Sequence, residues 1–160
     1  MGIVERNQRN IDNKYWCPEQ DSFPVKSRYT AGLAGQRFLQ EIKDNAKIFG
    51  TYCQACCLTF VPAKEFCERC FAQLETWVDV GLTGTVYSYT LACRNKDGSS
   101  KQAPEIIAAI KLGDGLLLHC LGECRPEQVS IGMSVTAQFK PQQERRGSIL
   151  DIKHFKPDSP

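Results

Sequence analysis

Five of the chain's nine cysteines stand in one short segment, YCQACCLTFVPAKEFCERC at positions 52–70. Four of them form two C-x-x-C pairs, Cys53 with Cys56 and Cys67 with Cys70. Because each pair fits a tight turn that directs two sulfurs to one point, the spacing predicts a tetrahedral metal site. Zn²⁺ is the expected ion, and iron in the same sulfur geometry is the alternative. Four cysteine ligands leave no open position for a substrate, so we expect a structural metal.

The fifth cysteine of the segment, Cys57, directly follows Cys56. It cannot use the turn geometry that Cys56 uses, so we expect it to pack as a small side chain beside the site and not to bind the metal. Nine cysteines in a chain of this composition are more typical of metal ligands and buried thiols than of disulfides.

Few other residues have the types and spacing for chemistry. His119 and Cys120 are neighbours on a predicted strand, so their side chains should point to opposite faces and should not form a nucleophile-base pair. A cross-strand pair of His119 with Cys93 stays open. Roles for the remaining cysteines, Cys17 and Cys124, are not indicated by the sequence, because a reactive thiol needs a lowered pKa. No catalytic motif is recognisable, and we expect no catalytic residues.

Three basic residues, Lys140, Arg145 and Arg146, surround the turn KPQQERRG. Arginine matches phosphate oxygens in a bidentate way, so these residues are candidates to hold phosphate groups. A solvated turn is the alternative interpretation.

Charge is balanced along the chain. Residues 1–70 carry ten Lys or Arg against eight Asp or Glu, and residues 71–160 carry ten against ten. Double-strand DNA binders concentrate positive charge on one face, which the second half does not do. The first residues lack the apolar run of a signal peptide, and no segment approaches the ~18 apolar residues of a membrane span, so we expect a cytoplasmic protein without membrane contact.

A helix is predicted over residues 31–46. Leu39, Ile42 and Ala46, with Phe38, repeat at three-to-four-residue spacing and form one apolar stripe. We expect Thr30 to be the N-cap residue and Gly50 to end the helical segment.

Residues 1–30 lack a helical or strand period, and Pro18 and Pro24 interrupt them, which indicates an extended arm. The arm contains too many apolar residues for a free tail, so we expect it to dock on this protein or on a partner. These residues are Tyr15, Trp16, Phe23 and Val25.

The remainder is typical of β-structure. TWVDVG and GTVYSYTLACR are rich in β-branched and aromatic residues, EIIAAIKL and LLLHCLGE flank a Gly-Asp-Gly turn, and MSVTAQFK and SILDIKHF flank a longer connection. About five strands without a helix between them favour an OB-type barrel, with a strand sandwich as the alternative. The fold class is mainly β with an N-terminal helix, in which a rubredoxin-like zinc ribbon precedes a five-stranded barrel. The predicted division is an arm at 1–30, a helix at 31–50, a ribbon at 51–74 and a barrel at 75–157.

The chain resembles a known family through three features that follow a helix in this order: the two C-x-x-C turns, or knuckles, then GTVYSYT, and then IGMSV. It is the zinc-ribbon plus OB-fold family first catalogued as a domain of unknown function and associated with acyl-CoA enzymes. The resemblance covers residues 30–157, and the four knuckle cysteines are the site residues that it carries over.

The resemblance implies a small, non-catalytic, zinc-binding subunit of a thiolase-type enzyme. Its partner would be a thiolase-superfamily large subunit, and acyl-CoA would lie at or near the shared interface. Within the family, the long N-terminal arm and the ribbon sequence resemble those of members that act on an aromatic substrate. The resemblance implies a substrate such as benzoylsuccinyl-CoA, from anaerobic toluene degradation. In this role the chain would stabilise the large subunit and help to shape or cover its acyl-CoA site, with Lys140, Arg145 and Arg146 as candidate contacts for the CoA phosphates.

Two other function classes compete. A nucleic-acid-binding module would use stacking aromatics such as Tyr87 and Tyr89 beside a basic groove, but the balanced charge of the barrel half disfavours such a groove. An independent redox or hydrolytic enzyme would have to use the remaining cysteines.

Overall fold

A computed structural model describes residues 3–5, 28–95 and 97–158 of the chain, and their regular structure consists of ten strands, one α-helix and three short 3₁₀ helices. The elements are β1 Ile3–Glu5, β2 Arg28–Thr30, α1 Gly32–Asn45, β3 Phe49–Cys53, β4 Leu58–Phe60, β5 Thr76–Asp79, β6 Thr83–Arg94, β7 Ser100–Leu112, β8 Gly115–Leu121, β9 Ser134–Phe139 and β10 Ile152–Pro157. The predicted fold class, mainly β with an N-terminal helix, is confirmed. No helix among the described residues is long and apolar enough to cross a membrane.

Helix α1 lies on the core through Ala34, Phe38 and Ile42, which are buried. The predicted span of 31–46 agrees with it within one residue at each end, but the predicted N-cap and stop residues are wrong. The N-cap residue is Ala31, without a side-chain hydrogen bond, in place of Thr30. The helix ends where Ala46 adopts a left-handed conformation with φ +51°, which terminates it before Gly50 is reached.

The ends of the predicted arm form a short ladder. Strand β1 pairs antiparallel with β2, with Val4 opposite Tyr29. The four apolar residues that we expect to dock, at positions 15, 16, 23 and 25, lie outside the described residues, as does Cys17.

A three-stranded sheet in the order β4-β3-β5 carries the knuckle segment. Buried Thr51 holds it: its hydroxyl donates to Lys64 O and accepts from Lys64 N–H, both over 2.9 Å. Strand β5, which we assigned to the barrel, pairs with β3 instead. The physical reason is the turn after β5. Gly81 has φ +75° and its N–H donates to Asp79 Oδ1, so the chain changes direction before β6 begins.

The other five strands close into a barrel in the order β10-β8-β7-β6-β9. The Gly-Asp turn between β7 and β8 is present, with φ +58° at Gly113. The barrel interior is filled by side chains such as Phe155, Ile110 and Val86, which are fully buried. The five-stranded OB-type barrel is therefore confirmed over the sandwich.

The ribbon packs directly on the barrel. A Cβ at Gly115 would lie 2.5 Å from Val61 N, so only glycine lets β8 start this close to the ribbon. Beside this contact, Thr59 N–H donates to Asp114 Oδ2 over 3.2 Å. Val61 belongs to the same apolar core as the barrel interior and the buried face of α1.

Candidate metal centre

Two turns bring four cysteines together. Cys53 ends β3 and Cys56 lies in the turn that follows, while Cys67 and Cys70 lie in the second knuckle. The four sulfurs all lie within 4.8 Å of one another. Cys53 Sγ is 3.6 Å from Cys70 Sγ, and Cys67 Sγ is 3.8 Å from Cys56 Sγ. Around an ion with Zn–S bonds of about 2.3 Å, the edges of a sulfur tetrahedron measure about 3.8 Å. The cluster therefore has the size to hold a metal ion.

The cluster is buried on one side only. Cys53 and Cys67 are each 1% exposed and pack with Leu74, whereas Cys70 is exposed. All four positions are filled by protein sulfur, so the arrangement has no vacant ligand position for a substrate.

The sulfurs of the cluster differ in acidity. Hydrogen bonds from the backbone of Cys70 and then of Arg69 lower the pKa of Cys67 to about 6, even though burial opposes them. The side chain of Cys70 is the main cause that raises the pKa of Cys56 to about 12. One thiolate among the thiols is thus stabilised by N–H donors, and a cation supplies the charge that lets the others ionise.

Cys57 lies outside this group. It has φ +52° in the turn after Cys56, and its exposed thiol donates to Gln54 O over 3.6 Å. The hydrogen bond with the Cys57 side chain is also the main cause that raises the pKa of Tyr52. Its position at the turn agrees with the expectation of a neighbour beside the site, and its exclusion from the metal stays a prediction.

The side chains of His119 and Cys120 are in contact although the two residues are neighbours on β8, a contact that the alternation of strand faces does not indicate. Cys120 Sγ lies 3.4 Å from His119 Nδ1, and the same nitrogen accepts the N–H of Cys120 over 3.0 Å. The ring folds back along the strand because its Nε2 lies 3.3 Å from Ile149 O, to which it donates. Burial, followed by the charge of Glu105, raises the pKa of the Cys120 thiol. The pair therefore keeps a protonated thiol, which is a poor nucleophile.

The other cysteines stand apart. The strand ladder sets Tyr89, and not Cys93, in line with Ala108 and His119, so the open His119–Cys93 pair is not formed. Cys93 is exposed and donates to Leu91 O. Burial raises the pKa of the half-buried Cys124 thiol.

The three basic residues of the β9–β10 connection have different surroundings. Arg145 donates from Nε to Lys140 O over 2.8 Å and from Nη1 to Lys43 O over 3.2 Å. The guanidinium therefore uses these donors within this chain, and its Cζ lies 5.7 Å from the centre of the Phe139 ring. Arg146 is exposed and lines a cavity along α1 together with Lys43. The sequence analysis missed Lys43, and no signal in the sequence relates it to a turn one hundred residues further on.

Known proteins share sequence with this chain. Residues 77–140 match the family described as the C-terminal OB-fold domain of ChsH2. The chain is also 33% identical over 107 residues, 65% of this chain and 75% of the relative, to a DUF35 domain-containing scaffold protein of Methanocaldococcus jannaschii. The chain belongs to the DUF35 family.

Solved structures of DUF35 proteins share the fold. A DUF35 protein of unknown function from Sulfolobus solfataricus superposes with a TM-score of 0.56 at 27% identity, covering 79% of this chain and 82% of that one. The Ltp2-ChsH2(DUF35) aldolase gives a TM-score of 0.54 at 23% identity, covering 76% of this chain and 93% of its own, and shows the likeness of fold alone.

Proposed function

We propose that this DUF35 chain is the non-catalytic small subunit of a heteromeric thiolase-type enzyme that cleaves an aromatic 3-oxoacyl-CoA, such as benzoylsuccinyl-CoA, with CoA. The observation that carries the proposal is the closed four-sulfur cluster on a member of this family. A site that is filled by protein ligands offers no position to a substrate, which supports the proposal that a partner chain carries the chemistry.

The relatives support a role in assemblies. The archaeal relative is named a scaffold protein, and the name of the aldolase structure joins a DUF35 chain to a second protein. Small subunits of acyl-CoA enzyme complexes are therefore the class to which we assign this chain. The thiolase identity of the partner, its aromatic substrate and a cytoplasmic location are parts of the proposal.

Zn²⁺ is the ion that we propose for the cluster, because four cysteines in a tetrahedron suit a d¹⁰ cation. The ion would be held by Cys53, Cys56, Cys67 and Cys70 and would stabilise the two knuckles. Structural zinc contributes ~10 to 16 kcal/mol of apparent binding free energy in zinc-finger peptides, which is enough to order a segment with a small core.

Exposed apolar side chains support a protein partner. Phe71 in the second knuckle is 79% exposed, Leu118 on β8 is 71% exposed and Tyr87 on β6 is 60% exposed. Large apolar side chains left in water on several elements are typical of surfaces that another chain covers.

For the CoA phosphates, the surroundings of the basic residues favour Arg146 over Arg145. The donors of Arg145 are directed to Lys140 O and Lys43 O, whereas the side chain of Arg146 is exposed. We also propose the division into arm, helix, ribbon and barrel given above, with the boundary between ribbon and barrel at the turn around Gly81, since β5 belongs to the ribbon sheet.

Co-expression tests the subunit role. The tagged chain is produced together with a thiolase-superfamily large chain from the same source, and the complex is examined by size-exclusion chromatography with light scattering. We expect co-elution at a fixed stoichiometry that withstands 0.5 M salt, which is about the ionic strength at which weak surface ion pairs are screened. Separate elution of the two chains would argue against the role. Tight binding of single-stranded DNA by the isolated chain, with a steep salt dependence, would favour the nucleic-acid alternative.

A further inference from the structure

A cavity of about 560 Å³ runs along the outer face of α1 and is open to solvent. We call it the α1 groove. One wall is the helix face that carries Leu33, Gln36, Leu39 and Lys43, and the opposite wall includes the turn at Arg146 and Gly147. Its volume is within the range of about 300 to 1,000 Å³ that is typical of small-molecule sites.

The groove has a cationic end and an apolar end. Lys43 packs under the turn, since a Cβ at Gly147 would lie 3.7 Å from Lys43 Cδ and Arg145 Nη1 reaches Lys43 O. Arg146 lines the same end. At the other end, ten residues or about 15 Å along the helix, Leu33 is 73% exposed.

The two cations lack an anionic partner within the described part of the chain. No carboxylate among the described residues lies within 4 Å of the Lys43 ammonium or the Arg146 guanidinium. Two like charges that line one cavity repel each other, and an anion bound between them offsets that repulsion. A phosphate monoester carries close to two negative charges at neutral pH and accepts bidentate hydrogen bonds from arginine, so its charge matches this pair.

We infer that the α1 groove binds an organic phosphate that carries an apolar body, with the phosphate between Lys43 and Arg146 and the apolar body along Leu39 and Leu33. The inference deepens the proposed function, on which it rests for CoA thioesters as one source of such a ligand. It replaces Lys140 and Arg145 by Lys43 as the partner of Arg146. Glu65 also lines the groove and its carboxylate opposes a bound anion.

Binding to the isolated full chain is measured by isothermal titration calorimetry with octyl phosphate, octanol, inorganic phosphate, CoA and benzoyl-CoA. We expect octyl phosphate to bind more tightly than octanol or inorganic phosphate, because each of these lacks half of the recognised chemistry. Benzoyl-CoA binding more tightly than octyl phosphate identifies a CoA thioester as the source, and the reverse order identifies a simpler phosphate ester.

Charge variants locate the site. The Lys43→Gln/Arg146→Gln variant should lose at least tenfold in affinity for octyl phosphate. Leu33→Asn should weaken the binding of octyl phosphate but not that of inorganic phosphate. Glu65→Gln should bind octyl phosphate more tightly than the parent does. Lys111→Gln, an exposed lysine on β7, is the matched control and should bind like the parent. Circular dichroism melts of each variant separate lost binding from lost folding.

Two results would overturn the inference: octyl phosphate binds no better than inorganic phosphate, or the double variant of Lys43 and Arg146 binds octyl phosphate as the parent does. Both are measured without the large chain, so they are distinct from a failure of the two chains to co-elute.

Discussion

Cys53 Sγ lies 3.6 Å from Cys70 Sγ, although the two residues belong to different knuckles. The contact joins the end of a sheet strand to an exposed turn, and the sulfurs of Cys56 and Cys67 complete the cluster. The core around the cluster is small. Among the described residues, its buried members are Cys53, Cys67 and Leu74. Its order is therefore expected to depend on the metal.

Metal content distinguishes the ligands from the neighbour. Replacing Cys67 by serine should remove most of the metal and unfold the knuckles, because the remaining three sulfurs leave the sphere open. Replacing Cys57 by serine should leave one metal ion per chain, since its thiol is directed to Gln54 O. Inductively coupled plasma mass spectrometry of the purified variants gives the stoichiometry and the identity of the ion. Equal loss of metal from both variants would contradict the assignment.

The carboxylate of Asp151 holds the turn between β9 and β10. It is 2% exposed, and its Oδ2 accepts the N–H groups of Arg146, Gly147 and Ser148 over 2.9, 2.7 and 3.0 Å. Asp151→Ala leaves these donors unpaired, so the free energy of unfolding should fall by about 3 kcal/mol. Urea titration followed by circular dichroism measures it. The control is Asp158→Asn, at an exposed carboxylate, which should change stability by less than about 1 kcal/mol.

Acid should weaken the same turn. Burial opposes ionisation of Asp151, but the N–H donors of Ser148, Arg146 and Gly147 outweigh it and hold the pKa of the carboxyl below its ordinary value of 3.8. A lowered pKa in the folded state means that this stabilisation is fully present above about pH 4 and is lost as the pH falls through the folded-state pKa. The difference in unfolding free energy between parent and Asp151→Asn should therefore be constant from pH 7 to 5 and shrink below about pH 4. A difference that grows on acidification would contradict this account.

Close contact between ribbon and barrel depends on Gly115. A Cβ there would lie 2.5 Å from Val61 N and 2.6 Å from Val61 Cβ, so Gly115→Ala should cost about 2 to 3 kcal/mol of unfolding free energy. Gly35→Ala is the matched control. Its Cβ would meet only Ala31 Cβ at 3.2 Å, and alanine favours the helix, so stability should stay within about 1 kcal/mol of the parent. Thermal melts of both variants measure the difference. Equal stabilities of Gly115→Ala and Gly35→Ala would show that the contact between ribbon and barrel accommodates the added methyl group.

Thiol reactivity tests the His119–Cys120 contact. Because burial raises the pKa of Cys120, its thiol should react with iodoacetamide at pH 8 at least several-fold more slowly than the exposed Cys93. Peptide mass spectrometry over a time course gives both rates. Faster alkylation of Cys120 than of Cys93 would indicate that His119 activates the thiol.

The sequence predicts those features whose determinants are close together in the chain. The two C-x-x-C pairs predict the four-cysteine cluster, and the Gly-Asp turn predicts the β7–β8 hairpin. Features made by distant residues are invisible to it. Lys43 and Arg146 line one cavity through tertiary packing alone, and β5 pairs with β3 because the chain turns at Gly81 before β6 begins. The alternation of strand faces does not indicate the His119–Cys120 contact, because it says nothing of where the ring nitrogens find partners, here Ile149 O and Cys120 N–H.

A thiolysis assay with purified components tests the central claim most directly. The large chain alone, this chain alone and their mixture are each given benzoylsuccinyl-CoA and CoA, and formation of the product thioesters is followed. We predict turnover only in the mixture, rising with added small chain until the stoichiometry of the complex is reached, and unchanged when Cys57 or Cys93 of this chain is replaced by serine. Full activity of the large chain alone, or activity of this chain alone, would contradict the account.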